Sequence, residues 1–343
     1  MELTFVDLFA GVGMARMGME QAGFECVYTC EFDKHKRKEY EIIHGNEPEG
    51  CDIRYVRAAD IPRADVWFFG APCQDFSLAG LRKGLGGDRS SLISEVFRLI
   101  EEKAEDKPEW LVYENVKGML SSNNGWDFLS ILLAMDGLGY DIEWQTLNTK
   151  NFGLPQNRER VYTIGHFRKC GCKQILPITK DSGQIDKLGE QINSNTITAR
   201  YGNALSNGTY IVEGNERKQT SINQVASLNS DKRFNPNQYR VYGTDGLSQC
   251  LNTMQGGGRE PHVLVNSNEC KKDGVFIQDG KEYTIRKLTP KECMRLQGVP
   301  DEYTDKLIQA GISDSQIYKA AGDGLSVPIA KEIGERIRKT YEE

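Results

Sequence analysis

The stretch LTFVDLFAGVGM, residues 3–14, decides the fold class of this 343-residue chain. The apolar run over residues 3–10 is typical of a buried strand. The Gly-x-Gly turn at residues 11–13 follows this run and leads into a predicted helix over residues 15–23. Glycine lets the backbone approach a ligand closely at the carboxyl edge of a parallel sheet. The full dinucleotide-binding fingerprint is absent, because Arg16 stands where its third glycine would be.

The alternation of strand and helix continues through the first half of the chain. A helical pattern occupies residues 92–103, and further apolar runs lie at residues 24–32, 65–69, 110–113 and 161–166. Strands separated by helices predict βαβ units, and therefore an α/β fold whose parallel sheet is covered by helices on both faces.

Residues 170–282 have a different composition, in which Asn, Gly, Ser, Thr and Gln dominate and the predicted strands are short. Helical patterns return from residue 289 onward. We therefore predict one domain formed by residues 1–168 and 285–343, and a smaller, irregular, β-rich domain over residues 169–284. The last helix is expected to pack on the first domain, since it has no other partner for its apolar face.

Composition limits the function classes. Charged residues make up 27% of the chain, and no apolar run approaches the ~20 residues of a membrane span. The N-terminus lacks the features of a signal peptide, and the nine cysteines show no disulfide framework, so we expect reduced thiols in a cytoplasm. His166, Cys170 and Cys172 have no second half-site, so we expect no metal.

The net charge of −6 alone argues against a nucleic-acid partner. The charge is unevenly distributed, however, because residues 158–265 carry 14 basic against 9 acidic side chains. The acidic excess therefore belongs to the α/β body, and the mildly basic middle of the chain has the sign that phosphate contacts require.

Two segments that follow predicted strands carry reactive groups. GAPCQDFS, residues 70–77, holds Cys73 directly after Pro72, which restricts the local backbone. The glycine-rich residues 77–89 are typical of a loop that closes over a substrate. YENV then places Glu114 at the same sheet edge, and a thiolate with a carboxylic acid is a recognisable catalytic pair.

QNRERV, residues 156–161, adds two arginines. If this segment is extended, alternation sends Arg158 and Arg160 to one side, where they would bind phosphate or a polar base edge; two solvated arginines are the alternative. A weak internal echo pairs residues 195–203 with residues 251–260. It indicates either a chance likeness of two hairpins or two loops that present Arg200 and Arg259 to a polymer.

These segments resemble, in order and separation, the cytosine-5 DNA methyltransferase family. The resemblance covers residues 1–166 and 285–343 and rests on DLFAGVGM, Glu31, CDI, GAPCQDFS, DRSSL, YENVKG, QNRERV, RKLTPKECMRLQG and QIYKAAGDGLSVP. It implies a Rossmann-like class I methyltransferase sheet, S-adenosyl-L-methionine as cofactor, and duplex DNA bound between this sheet and a target-recognition domain over residues 169–284.

The resemblance also implies roles for single residues. Cys73 resembles the nucleophile that attacks carbon 6 of cytosine, Glu114 the group that protonates ring nitrogen 3, and Arg158 and Arg160 the arginines that anchor the base. The positions that match cofactor contacts are Phe9, Gly11, Val12, Gly13, Glu31, Phe32, Asp52, Ile53, Pro72, Leu92 and Asp323. The positions expected to contact DNA are Ser77, Gln156, Arg200 and Arg259.

Four positions depart from the family pattern. Phe32 replaces a frequent tryptophan but still offers a stacking ring, and Cys51 replaces a usual glycine. Asp323 and Gly324 replace the usual Asn-Ser near the methionine end of the cofactor. Asp323 loses the amide donor and adds negative charge, so we expect cofactor binding to survive in a weakened form.

The expected function is sequence-specific DNA cytosine-5 methylation by a monomer of prokaryotic or phage type. A partner restriction endonuclease, an orphan role and a phage anti-restriction role are equally consistent with the sequence. A transfer-RNA cytosine-5 methyltransferase is an alternative, although its usual Pro-Pro-Cys and Cys-Phe-Thr elements are absent here. A catalytically silent DNA-binding regulator is the alternative from another class.

Overall fold

A computed structural model describes residues 2–71, 92–171, 173–179, 224–227, 240–243, 247–251, 262–266, 276–278 and 281–342. Its main sheet has the strand order β2-β1-β3-β4-β7-β5. These strands are β1 (Leu3–Leu8), β2 (Phe24–Cys30), β3 (Val66–Phe69), β4 (Trp110–Val116), β5 (Tyr140–Asn148) and β7 (Glu159–Phe167). A short β6 (Gln156–Asn157) precedes β7.

The sheet is mixed, whereas the sequence predicted a parallel one. Strand β7 runs antiparallel to both of its neighbours, β4 and β5, and the other strands are parallel to one another. The reversal has a functional consequence, because the amino end of β7 lies at the same sheet edge as the carboxyl end of β4. Val116 is in register with Arg160 there.

Helices cover both faces of the sheet, as the sequence predicts. The helices of the described residues are α1 (Met14–Gln21), α2 (Lys34–His44), α3 (Leu92–Glu102), α4 (Trp126–Gly137), α5 (Pro290–Arg295), α6 (Asp301–Gln309), α7 (Asp314–Asp323) and α8 (Val327–Glu342). Side chains alternate along β3, so that Trp67 and Phe69 pack in the core beside α3 and α4, while Val66 and Phe68 pack in the core with α1 and α8.

The middle of the chain contributes a second sheet of five strands. Its order is β12-β13-β11-β9-β8, from β8 (Gln224–Ser227), β9 (Arg240–Gly243), β11 (His262–Asn266), β12 (Phe276–Gln278) and β13 (Lys281–Lys287). A separate pair joins β10 (Ser248–Gln249) to β6. The predicted domain boundary at residues 284–285 falls inside β13, and the division into two domains stays a prediction.

Within the described ranges, no helix combines the length and apolar character of a membrane span.

The C-terminal helix packs directly on the first helix, and this contact depends on a glycine. A Cβ atom at Gly18 of α1 would lie 2.6 Å from the Cβ of Ala330 and 2.6 Å from the carbonyl oxygen of Val327, both in α8. Such distances are shorter than van der Waals contact, so the two helix backbones approach closely only because residue 18 has no side chain.

We predict that Gly18→Ala lowers the free energy of unfolding. The overpacking cost of about 1–3 kcal/mol exceeds the ~1 kcal/mol by which alanine is favoured over glycine in a helix. Gly137→Ala in α4 is the matched control, because no atom lies within 4 Å of the added Cβ. Urea denaturation should show a loss for the first variant and none for the second; equal midpoints would contradict the close packing.

Candidate active site

A cavity of about 950 Å³ opens at the carboxyl ends of the strands of the main sheet. Phe9 follows β1, Glu31 follows β2, Gly70 follows β3, and Glu114 lies near the end of β4; all four line the cavity. Carboxyl strand ends are where open α/β sheets bind ligands. The volume falls within the ~300–1,000 Å³ of typical small-molecule sites.

The turn after β1 brings backbone to the cavity wall. Phe9 and Gly11 both adopt positive φ values, 61° and 59°, and a Cβ at Gly11 would have no atom within 4 Å. Gly13 also has a positive φ, but its missing side chain faces the ring of His44. Gly11 therefore leaves space at the cavity, whereas Gly13 allows α1 to begin beside His44.

Glu31 is fixed by the backbone. One carboxylate oxygen accepts the N–H of Gly11 at 2.8 Å, and the other accepts the N–H of Asp33 at 2.7 Å. The side chain is buried, yet it lines the cavity. Each carboxylate oxygen has a further lone pair, so Glu31 can still accept hydrogen bonds from a ligand with hydroxyl groups.

Asp52 is already paired. Arg54 contacts both carboxylate oxygens, with Nε at 2.9 Å and 3.1 Å and Nη2 at 2.5 Å, and this contact lowers the pKa of Asp52. Both residues line the same cavity as Phe32, a residue that is 67% exposed. A flat apolar ligand could therefore stack on Phe32 beside an acidic acceptor that stays ionised.

Glu114 and Arg160 form the ion pair at the β4–β7 edge. The Nε of Arg160 lies 3.2 Å from Oε1 of Glu114. Burial raises the pKa of Glu114 above its ordinary value, and the nearby charges of Arg160 and Arg158 oppose this rise. The site thus favours a carboxyl group that takes up a proton more readily than an exposed glutamate does.

Arg158 has a different environment from Arg160. Its guanidinium is buried, and it donates to the carbonyls of Leu251, Gly322 and Gly324 at 3.3, 3.2 and 2.6 Å. The same group lies 3.2 Å from Sγ of Cys250. Arg158 therefore ties the sheet edge to two distant parts of the chain, while Arg160 is the arginine whose charge faces the acid.

Asn115 connects Glu114 to the segment that carries Cys73. Its amide nitrogen donates to the carbonyl of Ala71 at 3.1 Å and contacts the hydroxyl of Tyr113 at 2.5 Å. The asparagine of the YENV motif thus links the end of β4 to Ala71, which lies two positions before Cys73 in the sequence. The only sequence signal for Asn115 was its position next to Glu114 in the YENV motif.

Comparison with known proteins agrees with this geometry. The family described as C-5 cytosine-specific DNA methylase matches residues 3–339. The type II methyltransferase M.Bsp6I of Bacillus sp. (strain RFL6) is 32% identical, over 98% of this chain and 99% of that protein. The type II methyltransferase M.HhaI of Haemophilus parahaemolyticus is 31% identical, over 98% and 94%.

The chain belongs to the C-5 cytosine-specific DNA methylase family.

The fold of this methylase is also found in solved structures. The S. pombe Dnmt2 methyltransferase superposes with a TM-score of 0.65 at 17% identity, and the alignment covers 99% of each chain. A DNA modification methyltransferase described as putative and encoded within an E. coli prophage gives a TM-score of 0.62 at 18% identity, over all of both chains. Both support the Rossmann-like methyltransferase sheet.

The structure brings together most of the residues that the sequence proposed for this methylase. Glu114, Arg158 and Arg160 line one cavity with nine of the expected cofactor positions, which are Phe9, Gly11, Val12, Glu31, Phe32, Asp52, Ile53, Leu92 and Asp323. Gly13 lies outside this wall. Pro72, Cys73, Ser77, Arg200 and Arg259 lie outside the described residues.

The expectation that Gln156 contacts DNA does not fit its environment. Its side chain is fully buried, and its amide nitrogen donates to the carbonyl of Leu296 at 3.2 Å. The side chain therefore joins β6 to the C-terminal segment by a hydrogen bond, and none of its surface is accessible to a nucleic acid. The alternation of side chains along an extended segment predicts only which residues share a face. It does not predict burial, because burial depends on the distant part of the chain that packs against that face.

Sequence reasoning missed five charged side chains of the cavity wall, which are Asp7, Asp33, Lys36, Arg54 and Glu95. Burial, with the nearby charge of Glu31, raises the pKa of Asp7 to about 8, so this carboxyl group is mostly protonated at neutral pH. Lys36 pairs with Asp323 at 2.8 Å. The motif DLFAGVGM contains Asp7, but Lys36 lies in a basic helix with no motif to mark it.

One departure from the family pattern has a packing explanation. A Cβ at Gly324 would lie 2.2 Å from Sδ of Met14 and 2.9 Å from the carbonyl oxygen of Ala320. Met14 therefore fills the space that the side chain of the family's usual serine would occupy at position 324.

No group of three or more His, Cys, Asp or Glu side chains that could hold a metal occurs in the part of the chain that is described. Of the weighed zinc candidates, Cys172 is outside that part. His166 is buried with Nε2 3.2 Å from Oε1 of Glu109, and Cys170 is exposed.

We predict unequal effects of removing the two arginines. Arg158→Met leaves buried acceptors without a donor, each at roughly 1–3 kcal/mol, so its free energy of unfolding should fall by about 3 kcal/mol or more. Arg160→Met should cost less, because Glu114 can accept a proton. Urea denaturation at neutral pH measures both, and equal losses would contradict the assigned environments.

The loss of unfolding free energy that Arg160→Met causes should also depend on pH. The folded-state pKa of Glu114 is already raised by burial, and loss of the Arg160 charge raises it further. The folded variant then binds a proton more readily than the unfolded chain, so its stability relative to the wild type recovers as the pH falls. A deficit that grows on acidification would contradict this assignment.

Proposed function

We propose that the chain methylates carbon 5 of cytosine within a specific sequence of duplex DNA, with S-adenosyl-L-methionine as the methyl donor. The proposal is carried by one cavity that has a protonatable acid beside a cation, Glu114 with Arg160, and a backbone-fixed carboxylate, Glu31. Membership of the C-5 cytosine-specific DNA methylase family supports it.

The cavity fits the proposed cofactor. Glu31 retains lone pairs for ribose hydroxyls, Phe32 presents an exposed ring for the adenine, and Asp52 supplies an acceptor for the adenine amino group. The absence of a side chain at Gly11 lets the ligand approach the backbone. S-adenosyl-L-methionine, when bound, supplies an activated methyl group.

The protein residues prepare the base for methylation. Carbon 5 of cytosine is a poor nucleophile, but addition of the Cys73 thiolate to carbon 6 turns the ring into an enamine whose carbon 5 is reactive. Glu114 protonates ring nitrogen 3 and so accepts the electron density pushed into the ring, a role suited to its raised pKa. Once carbon 5 carries the methyl group, with S-adenosylhomocysteine as the other product, loss of the carbon 5 proton to a solvent base re-forms the ring double bond and expels Cys73 as a thiolate.

A cytosine inside a duplex cannot reach this edge of the sheet, so the base flips out of the helix. Residues 77–89, for which the sequence predicts a loop that closes over a substrate, lie outside the described part of the chain. Residues 169–284 read the flanking sequence as the target-recognition domain, and Ser77, Arg200 and Arg259 contact the DNA.

The enzyme acts as a monomer in the cytoplasm of a bacterium or a phage-infected host. Its relatives include type II methyltransferases and, at 29% identity, the orphan methyltransferase M.SPBetaI of Bacillus phage SPbeta. We therefore propose either protection of DNA from a partner restriction endonuclease or a phage anti-restriction role.

Methylation of plasmid DNA tests the function. The protein is expressed in a host without cytosine methylation, and bisulfite sequencing should find modified cytosines in one recurring motif. In vitro, labelled methyl groups should pass to DNA and not to transfer RNA. Transfer to transfer RNA alone, or to neither, would contradict the proposal, and scattered modification would contradict the recognition domain.

We predict that Cys73→Ala abolishes methyl transfer while specific DNA binding remains, because only the covalent step needs the thiolate. Cys170→Ala is the control, since this exposed thiol lies outside the cavity wall. Methyl transfer and gel-shift assays on the same oligonucleotide measure both properties. Normal turnover of Cys73→Ala would contradict the mechanism.

We predict that Glu114→Gln lowers kcat by roughly 10²–10⁴-fold, the usual contribution of general acid–base catalysis. Glutamine keeps the size of the side chain but cannot transfer a proton to ring nitrogen 3. Steady-state turnover with saturating DNA and cofactor separates this loss of kcat from a binding defect. A kcat within threefold of the wild type would rule out the proton-transfer role.

A further inference from the structure

The cavity wall contains an ion pair that joins Asp323, an expected cofactor contact, to a lysine with no role in the proposed reaction. Lys36 of α2 lies 2.8 Å from Oδ2 of Asp323, the last residue of α7. Their side chains are 19% and 33% exposed, and both line the cavity. The pair therefore presents one cation and one anion, side by side, to any ligand in this space.

A second ion pair holds the same two helices together. Lys319 of α7 lies 2.7 Å from Oδ2 of Asp33, the residue that caps α2. Although burial raises the pKa of Asp33, hydrogen bonds from Lys319 and two backbone N–H groups bring it to about 2. This second pair joins α2 to α7 through residues other than Lys36 and Asp323.

The position of Asp323 is tied to the catalytic edge. The carbonyl oxygens of its neighbours Gly322 and Gly324 both accept hydrogen bonds from Arg158, next to the Glu114–Arg160 pair. The backbone on either side of the carboxylate is therefore fixed relative to the reacting groups. A ligand group bound by Asp323 would be held at a set distance from them.

We infer that Lys36 and Asp323 together bind the amino-acid end of S-adenosyl-L-methionine, Lys36 its α-carboxylate and Asp323 its α-ammonium group. This inference rests on the proposed function. A zwitterionic amino acid carries both charges on one carbon, so it matches a wall that offers both counter-charges. The added charge of Asp323 is balanced by Lys36, and its lost amide donor is replaced by the ammonium group of that lysine.

Calorimetric titration with three adenosyl ligands tests the inference on the full chain. S-adenosylhomocysteine keeps both amino-acid charges, decarboxylated S-adenosylmethionine keeps only the ammonium group, and 5′-methylthioadenosine keeps neither. Lys36→Met removes the cation at similar side-chain length. Lys38→Met, an exposed position of the same helix outside the cavity wall, is the matched control.

Lys36→Met should weaken S-adenosylhomocysteine binding by roughly tenfold or more, since hydrogen bonds to charged groups are the strong ones. Its affinity for 5′-methylthioadenosine should not change, and decarboxylated S-adenosylmethionine should lose nothing. Asp323→Ala should instead weaken both ligands that carry the ammonium group. Lys38→Met should behave as the wild type throughout.

Two outcomes would overturn the inference. Equal weakening of all three ligands by Lys36→Met would mean that the pair only shapes the cavity, and unchanged binding would mean that it does not touch the cofactor. Failure of the wild type to bind any adenosyl ligand is a separate result, which would overturn the proposed function itself.

Discussion

The buried guanidinium of Arg158 is the constraint on which the site depends. A charge inside a protein is tolerated only where polar groups surround it, and these acceptors come from residues 250–251 and 322–324, far along the chain. The antiparallel β7 brings Arg158 to the sheet edge where the carboxyl ends of the other strands lie. The two terminal nitrogens of this one side chain thus join the middle and the end of the chain to the sheet of the first half.

Three carboxyl groups at this sheet edge, those of Glu31, Asp7 and Glu114, have different environments. Glu31 accepts hydrogen bonds from two backbone N–H groups, which fix the position of its carboxylate. Asp7 lies close by but is desolvated, and its pKa rises to about 8, so Glu31 does not face a second full negative charge at neutral pH. Glu114 is desolvated too, but the nearby arginines oppose the rise of its pKa. Similar side chains can therefore serve ligand binding, packing and proton transfer within one cavity.

The sequence predicted what depends on local pattern. Apolar runs marked the strands, their ends marked Glu31 and Glu114, and the apolar face of the last helix required a partner, which α1 provides. The reversed direction of β7 was missed, because an apolar run is the same in a parallel and an antiparallel strand. The different environments of Arg158 and Arg160 were missed since both depend on residues more than forty positions away.

The effect of a residue that departs from a family pattern depends on the residues that contact it in the structure. Considered alone, Asp323 adds an unwanted charge and Gly324 removes a side chain. In the structure Lys36 neutralises the first and Met14 occupies the space of the second, and both compensating residues come from the opposite end of the sequence. Two side chains that face the same space can compensate each other in charge or in volume, although they lie far apart in the sequence. Whether Asp323 and Gly324 fit this site is therefore decided by Lys36 and Met14, and not by either position alone.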